Sequence, residues 1–476
     1  MATSGTKNAE APLDRAALVF VPGISRSWGQ RSLRAVADDL MVSLDLQSEG
    51  LEFSAVAAEP IEYGVADERR TARGLTISRT PGVGDSPQPV LDIYEFEYAK
   101  SLTAEYEGKS LLSRAFIVFG SFVLGVFRLF RILKPGRGAK PWSHRIQILL
   151  MMVVQFLYAI LLIVLVAEIV VVAADAVSAA QQLGGIGSAT PDPTPAPSPA
   201  AGGSPAESDA DEGVAATAWG VLQGVWDSLA GKVARAVAAL GVLLWLVLPP
   251  KQKLKEGLIN GATDYLAVDH YLRSGAGAPR LTGDINGLLD ALRERKDRAY
   301  RRIDVCSYSL GSIVAFNSIF TFGSAPAPNS AIKRIGTMVT IGCPFDTVRL
   351  VRPDYFKSRQ WLANPPKWLN VFAPADILGS NFRNDGDDAQ ASPEVMQRAM
   401  APRPTGAPDP PSLPIPENLA FYPGNVPHGG LADSLVLSGF RVHGRYWDAA
   451  QTGEHSCFDV VAEHLYGDDP ILQEES

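Results

Sequence analysis

The chain has 476 residues, enough for one large domain or two to three ordinary ones, and its 46% hydrophobic content can fill a sizeable core. That excludes a disordered chain, and the formal charge of -8 offers no basic patch of the kind that nucleic-acid binding needs. Three cysteines, Cys306, Cys343 and Cys457, odd in number and widely spaced, fit neither a disulfide framework nor a zinc site and point to a reducing compartment.

The first ten residues carry no apolar core of a signal peptide. Ala17-Leu-Val-Phe-Val21 reads as a fully apolar strand that ends at Pro22-Gly23-Ile24. From Ser32 to Leu44 the apolar residues recur at 33, 36, 37, 40, 41 and 44, which predicts a helix capped by Ser32. Val90-Leu-Asp-Ile-Tyr-Glu-Phe-Glu-Tyr98 reads as the next strand.

The middle of the chain carries the hydrophobicity. Ile146 to Ala167 is a run of 22 residues without a charge, long enough to cross a hydrocarbon core. The competing reading, a buried soluble helix, is disfavoured at that length. Ala236 to Pro250 is only 15 residues, so a crossing there needs local thinning or snorkelling by Lys232 and Arg235. Ala115 to Phe127, followed by Arg128 and Arg131, reads as an interfacial helix over about 115–131. Pro191-Asp-Pro-Thr-Pro-Ala-Pro-Ser-Pro199 lies in a flexible acidic linker over about 187–213.

Arg128, Arg131, Lys134, Arg137, Lys140 and Arg145 precede the long run, and Lys251, Lys253 and Lys255 follow the short one. Positive segments stay cytoplasmic, so the expectation is a hairpin of two crossings, about 146–167 and 233–250, with the linker outside. A four-crossing version would add Ala115 to Phe127 and Val214 to Trp226, but it exports the basic segment and ranks below. The flanking parts, 1–110 and 255–476, then form two pieces of one cytoplasmic domain, with 111–254 as a membrane insertion.

After the hairpin, Ile285, Leu288, Leu289 and Leu292 mark a helix, Ile303 to Cys306 a strand and Leu310 to Phe320 a helix. Ile335 to Ile341 and Trp368 to Ala373 read as strands, and Cys457 to Leu465 as a closing helix. Strands alternating with helices predict an α/β fold: a mostly parallel sheet covered on both faces.

At the strand-to-helix turn stands Ser307-Tyr308-Ser309-Leu310-Gly311, of the form small-x-Ser-x-small. A turn that tight needs small residues two before and two after the central serine, whose hydroxyl it exposes above the sheet at a helix N-terminus. The stretch Val-Cys-Ser-Tyr-Ser-Leu-Gly-Ser resembles the nucleophile elbow of α/β-hydrolase serine hydrolases of the lipase and esterase type. It departs from that pattern in Ser307, where glycine is commoner, and in Tyr308, where histidine is common.

The resemblance extends along residues 15–110 and 255–467 and implies a Ser, acid, His order. Ser309 is the implied nucleophile. Asp376, just beyond the Trp368 to Ala373 strand, resembles the family's acid; Asp385, Asp387 and Asp388 are rivals in a Gly- and Asp-rich loop. For the base, His443 lies in Arg441-Val-His-Gly-Arg-Tyr-Trp447, similar to the His-x-x-Tyr-Trp stretch of some lipase-like members, with His455 and His428 as alternatives. His464 falls within the closing helix.

The oxyanion donors implied are the N–H of Leu310 and the loop at Gly23 and Ile24, where Phe-Val-Pro-Gly-Ile resembles the family's His-Gly loop with proline in place of histidine. Gly342-Cys343-Pro344 looks like a scaffold turn. The Pro-rich stretch within about 390–430 reads either as a cap over the site or as a disordered insertion.

The function implied is a membrane-anchored serine hydrolase acting on carboxylic esters, with the lipid bilayer as partner and a lipid ester as possible substrate. No metal or organic cofactor is implied. The competing class is an inactive membrane scaffold that keeps the fold. A transporter or channel is weak, because two marginal crossings cannot line a pore without oligomerising.

Overall fold

The computed structural model describes residues 15–24, 32–48, 51–64, 68–80, 82, 85–109, 113, 117, 145–149, 264, 267–273, 277–295, 298, 300–323, 332–383, 389–402, 412–424 and 438–467. The chain divides into two compact units, 1–109 with 121–153 and 257–476, and 110–120 with 154–256. All the elements named below belong to the first.

In chain order these are β1 (Ala16–Val21), α1 (Leu33–Gln47), β2 (Glu52–Tyr63), β3 (Arg70–Thr80), β4 (Gln88–Glu95), α2 (Ala99–Glu107), α3 (Gly277–Glu294), β5 (Arg302–Tyr308) and α4 (Leu310–Ile319). They continue with β6 (Ile335–Ile341), α5 (Phe345–Val351), β7 (Lys367–Phe372), α6 (Pro393–Gln397), β8 (Glu417–Ala420), α7 (Ser438–His443) and α8 (Cys457–Tyr466).

The strands make one 8-stranded sheet in the order β2-β3-β4-β1-β5-β6-β7-β8. From β4 to β8 every neighbour pair is parallel, and β2 and β3 add an antiparallel edge. The fold is therefore mixed α/β with a mostly parallel sheet. β1 runs at its centre, with Leu18 registered between Ile93 of β4 and Asp304 of β5.

Alternation along β1 explains the layers. Ala16, Leu18 and Phe20 join a core cluster with Val36, Leu40 and Leu44 of α1 and Phe458, Val461 and Leu465 of α8. Ala17, Val19 and Val21 are equally buried and point to the opposite face, so both faces are covered. α4, buried along its whole length, packs against β1, β5 and α3. Ser32 caps α1 as expected, its hydroxyl accepting from the Ala35 N–H at 3.2 Å.

The residue pattern gave no warning of β2 and β3. β2 is the sheet edge and exposed along most of its length, so its pairing rests on backbone hydrogen bonds rather than on an apolar face that a sequence can display. Part of the 390–430 stretch belongs to the scaffold: α6 lies in it, and β8 pairs with β7.

Among the described residues, no helix is long and apolar enough to cross a membrane. The interfacial segment 115–131, the linker 187–213 and the run 233–250 lie outside the described residues, Ile117 apart, as does the run 146–167 beyond Leu149. Residues 145–149 are helical, and Ile148 packs with Leu350, Ile377 and Phe440.

Candidate active site

The parallel strands end on one side of the sheet, where chain reversals leave polar groups exposed to each other. β5 gives way to α4 within one residue: Ser309 has φ 53° and ψ -127°, a backbone conformation that costs an L-residue on the order of 1–3 kcal/mol. The surroundings hold it there. The Ser309 N–H donates to Ile341 O at 2.9 Å, and the Ser312 N–H donates to Ser309 O at 2.9 Å. The Ser312 hydroxyl donates to Ser307 O at 3.1 Å.

Ser307 needs no glycine substitute there, because its hydroxyl is absorbed by Val339 O at 2.9 Å within a fully buried setting. Gly311 is different: a Cβ on it would stand 2.3 Å from Val21 O, so only glycine lets α4 approach the end of β1.

Ser309, Asp376 and His443 are brought together. The Ser309 hydroxyl and His443 Nε2 are 2.8 Å apart, and His443 Nδ1 lies 2.8 Å from Asp376 Oδ2. Asp376 is held by a turn after β7, its own N–H donating to Ala373 O at 2.9 Å, and its Oδ1 accepts the Leu378 N–H at 2.8 Å. His443 is the last residue of α7. The carboxylate and the imidazole are almost fully buried, whereas Ser309 is half-buried and reachable.

Two tyrosines frame this chain of bonds. The Tyr446 hydroxyl donates to Asp376 Oδ2 at 2.8 Å and accepts the Ala373 N–H at 2.9 Å. The Tyr308 hydroxyl donates to the backbone oxygen of His443 at 2.5 Å, and its ring stacks on the imidazole at 5.3 Å between centroids and 22° between planes. Burial first, and the Asp376 charge second, push both phenols well above their ordinary range, so both stay protonated donors.

Glycines close the remaining sides. Gly342, at φ +56°, would place a Cβ 2.8 Å from the Tyr446 ring and 3.1 Å from His443 Cε1. One on Gly379 would stand 2.6 Å from Asp376 Oδ2. The turn at Gly342-Cys343-Pro344 is thus scaffold that also backs the imidazole.

Gly23 runs beside the serine, its would-be Cβ 3.2 Å from Ser309 Cβ, with Ile24 buried next to it. Leu310 is the first residue of α4, and amides of a first helical turn have no intrahelical acceptor. The Leu310 N–H therefore lies at the positive end of α4.

The other candidates are elsewhere. The His455 side chain is exposed and 3.9 Å from Asp39, and the His455 backbone N–H donates to the Asp459 carboxylate. His464 bonds Val460 O within α8. His428, Asp385, Asp387 and Asp388 lie outside the described residues. Sequence reasoning left Tyr446 and Gly379 without a role; the available signal for Tyr446 was its place in the same short stretch as His443. Among the described residues, no group of His, Cys, Asp and Glu could hold a metal ion.

Chemically, an imidazole bonded to a carboxylate on one nitrogen and a hydroxyl on the other can take the hydroxyl proton while the carboxylate stabilises the imidazolium that forms. No protein-family model, no curated protein and no solved structure matches the chain.

Proposed function

We propose that the protein is a serine hydrolase of the α/β-hydrolase type, cleaving carboxylic esters through an acyl-enzyme. The observation that carries the reading is the bonded sequence Ser309 Oγ, His443 Nε2, His443 Nδ1 and Asp376 Oδ2, with 2.8 Å at each link, built on the strained turn at Ser309. Backbone strain of the kind found at Ser309, φ 53° with ψ -127°, clusters at functional sites.

In the reaction, Ser309 Oγ attacks the ester carbonyl as His443 takes its proton. The tetrahedral oxyanion is met by the N–H of Leu310 and by the Gly23 and Ile24 loop. His443 then gives the proton to the departing alcohol, leaving an acyl-serine. Water, deprotonated by the same imidazole, attacks the acyl carbon and restores Ser309 with release of the acid. No cofactor enters.

The same proposal makes the substrate a bilayer ester and the protein a membrane one, with two crossings and the catalytic unit cytoplasmic. Support comes from Ile148, at the start of the uncharged run Ile146 to Ala167, which packs against Ile377, beside Asp376, and Phe440, on the helix of His443. The first residues of the run thus pack on the catalytic unit near the acid and the base, and the crossing itself is argued from the length of the uncharged run.

The test is labelling of membrane-embedded protein by a fluorophosphonate probe, beside Ser309→Ala, Ser307→Ala and His443→Ala. Labelling that disappears with Ser309→Ala, survives Ser307→Ala and drops steeply with His443→Ala is expected. No labelling of folded wild-type protein would move the reading to a non-enzymatic scaffold. Hydrolysis of soluble short-chain esters with none of vesicle lipids or acylated proteins would sink the lipid part alone.

A further inference from the structure

Asp376 Oδ2 accepts twice, from His443 Nδ1 and from the Tyr446 hydroxyl, each at 2.8 Å. Tyr446 is fully buried and fixed from behind, because its oxygen also accepts the Ala373 N–H and its ring stacks with Phe421 at 6.1 Å. Its hydroxyl proton has one acceptor, the oxygen on which His443 depends. Gly379 and Gly342 lie where any side chain would strike this arrangement, so backbone crowds it on two sides.

We propose that Tyr446 is a positioning residue that sets the basicity of His443 by sharing Asp376 Oδ2 with it. This rests on the serine-hydrolase reading above. A donor on a carboxylate oxygen withdraws negative charge from it, so the oxygen stabilises a neighbouring imidazolium less. Tyr446 therefore weakens the hold of Asp376 on a protonated imidazole. It also fixes the rotation of the carboxylate, whose other oxygen is bound by the Leu378 N–H.

The groups around the imidazole leave this effect readable. Asp376, Ser309, Tyr308 and Tyr446 face it directly. Arg441 and Arg445 lie on its own segment, the latter paired with Asp448 at 2.7 Å. Cys343 follows Gly342 on the β6 side, Cys457 lies near Tyr308, and Arg145 precedes Gln147, which neighbours Gly439. Among these side chains, Tyr446 bonds the oxygen that His443 uses.

The experiment measures the second-order rate of inactivation by a fluorophosphonate against pH for the full chain in membranes. In that step the Ser309 Oγ–P bond forms, the P–F bond breaks, fluoride leaves and His443 takes the serine proton. The rate rises through the pKa of the free enzyme's base. Tyr446→Phe is expected to move that midpoint up by about half a unit to one unit. Replacing Tyr446 by 3-fluorotyrosine, a stronger donor of nearly the same shape, is expected to move it down. Tyr308→Phe, which loses only the bond to the His443 carbonyl, is expected to lower the plateau without moving the midpoint.

The opposed directions separate tuning from loss of structure and keep the test open if Tyr446→Phe does not fold. An unchanged midpoint in both Tyr446 replacements, or a shift in the same direction, overturns the proposal while leaving the hydrolase reading intact. Wild-type protein that does not label, or labelling that survives Ser309→Ala, defeats the hydrolase reading itself.

Discussion

Gly311 lies hard against the end of β1, its Cα turned toward a carbonyl that would be 2.3 Å from any Cβ, that of Val21, with Pro22 O at 2.4 Å. Backbone atoms cannot swing aside as a side-chain tip can. Gly311→Ala is therefore expected to force α4 away from β1 and to cost about 3 kcal/mol or more. Thermal unfolding read by circular dichroism should show the loss, and fluorophosphonate labelling should fall even in the fraction that folds, since α4 carries the Leu310 amide.

Asp376→Asn tests the carboxylate in place. Oδ2 accepts from both His443 and Tyr446, so an amide there either presents its NH2 to two donors or turns its oxygen toward them and loses the Leu378 bond. Inactivation is expected to slow by on the order of 10³–10⁴ at neutral pH, through loss of the correct tautomer. A variant within tenfold of wild type would remove Asp376 from the proposed role.

Ile148 couples the apolar run to the site. It is buried with Ile377 and Phe440, and Ile148→Ala is expected to cost about 2–5 kcal/mol through lost contacts and the cavity left. Because those neighbours flank Asp376 and His443, the labelling rate should fall together with the melting temperature. Ile148→Val, at a cost of about 1 kcal/mol, should leave labelling near wild type.

Buried phenols predict the alkaline limit. Burial pushes Tyr63 up to about 12 from its ordinary 10.0 and also holds Tyr98, Tyr271, Tyr308 and Tyr446 well above that ordinary value. With the folded pKa raised, stability is intact below pH 10 and lost as pH rises beyond it, because the unfolded chain releases these protons first. Each such group contributes about 1.4 kcal/mol per pH unit in that window.

Arg359 opposes this. Burial lowers its guanidinium from 12.5 to about 10, so between those values its term favours the folded state as pH rises. The tyrosines outnumber it. Exposed phenols such as Tyr422 are expected to ionise first, and the phenolate absorbance of the buried set to appear together with loss of helical circular dichroism above pH 10; full ionisation well before unfolding would contradict the burial argument.

Much of the chain could be read before any coordinates. The apolar run 17–21, the periodicity after Ser32, and the strand-turn-helix around Ser309 are local: each depends on side chains within a few residues, whose burial the sequence displays directly. The central parallel strands, the elbow, and the order of Ser309, Asp376 and His443 were legible for that reason. The edge strand β2 and its neighbour β3 were not, because their pairing uses backbone groups every residue has. His443 was preferred over His428 and His455 for the resemblance of its His-x-x-Tyr-Trp stretch, not for any local pattern that places it, since all three follow Asp376.

That choice is tertiary. His443 reaches Ser309 because β5 and β7 end on the same side of the sheet and α7 brings it back across both, a closure of chain over 134 positions that no local pattern encodes. The same packing makes Tyr446 a partner of Asp376 at a separation of 70 and makes Gly342 and Gly379 obligatory walls. By itself the sequence determined which short segments could be strand, helix or turn, because propensity and periodicity act locally. Which polar groups meet was decided by the sheet, because it alone fixes where the ends of distant strands stand.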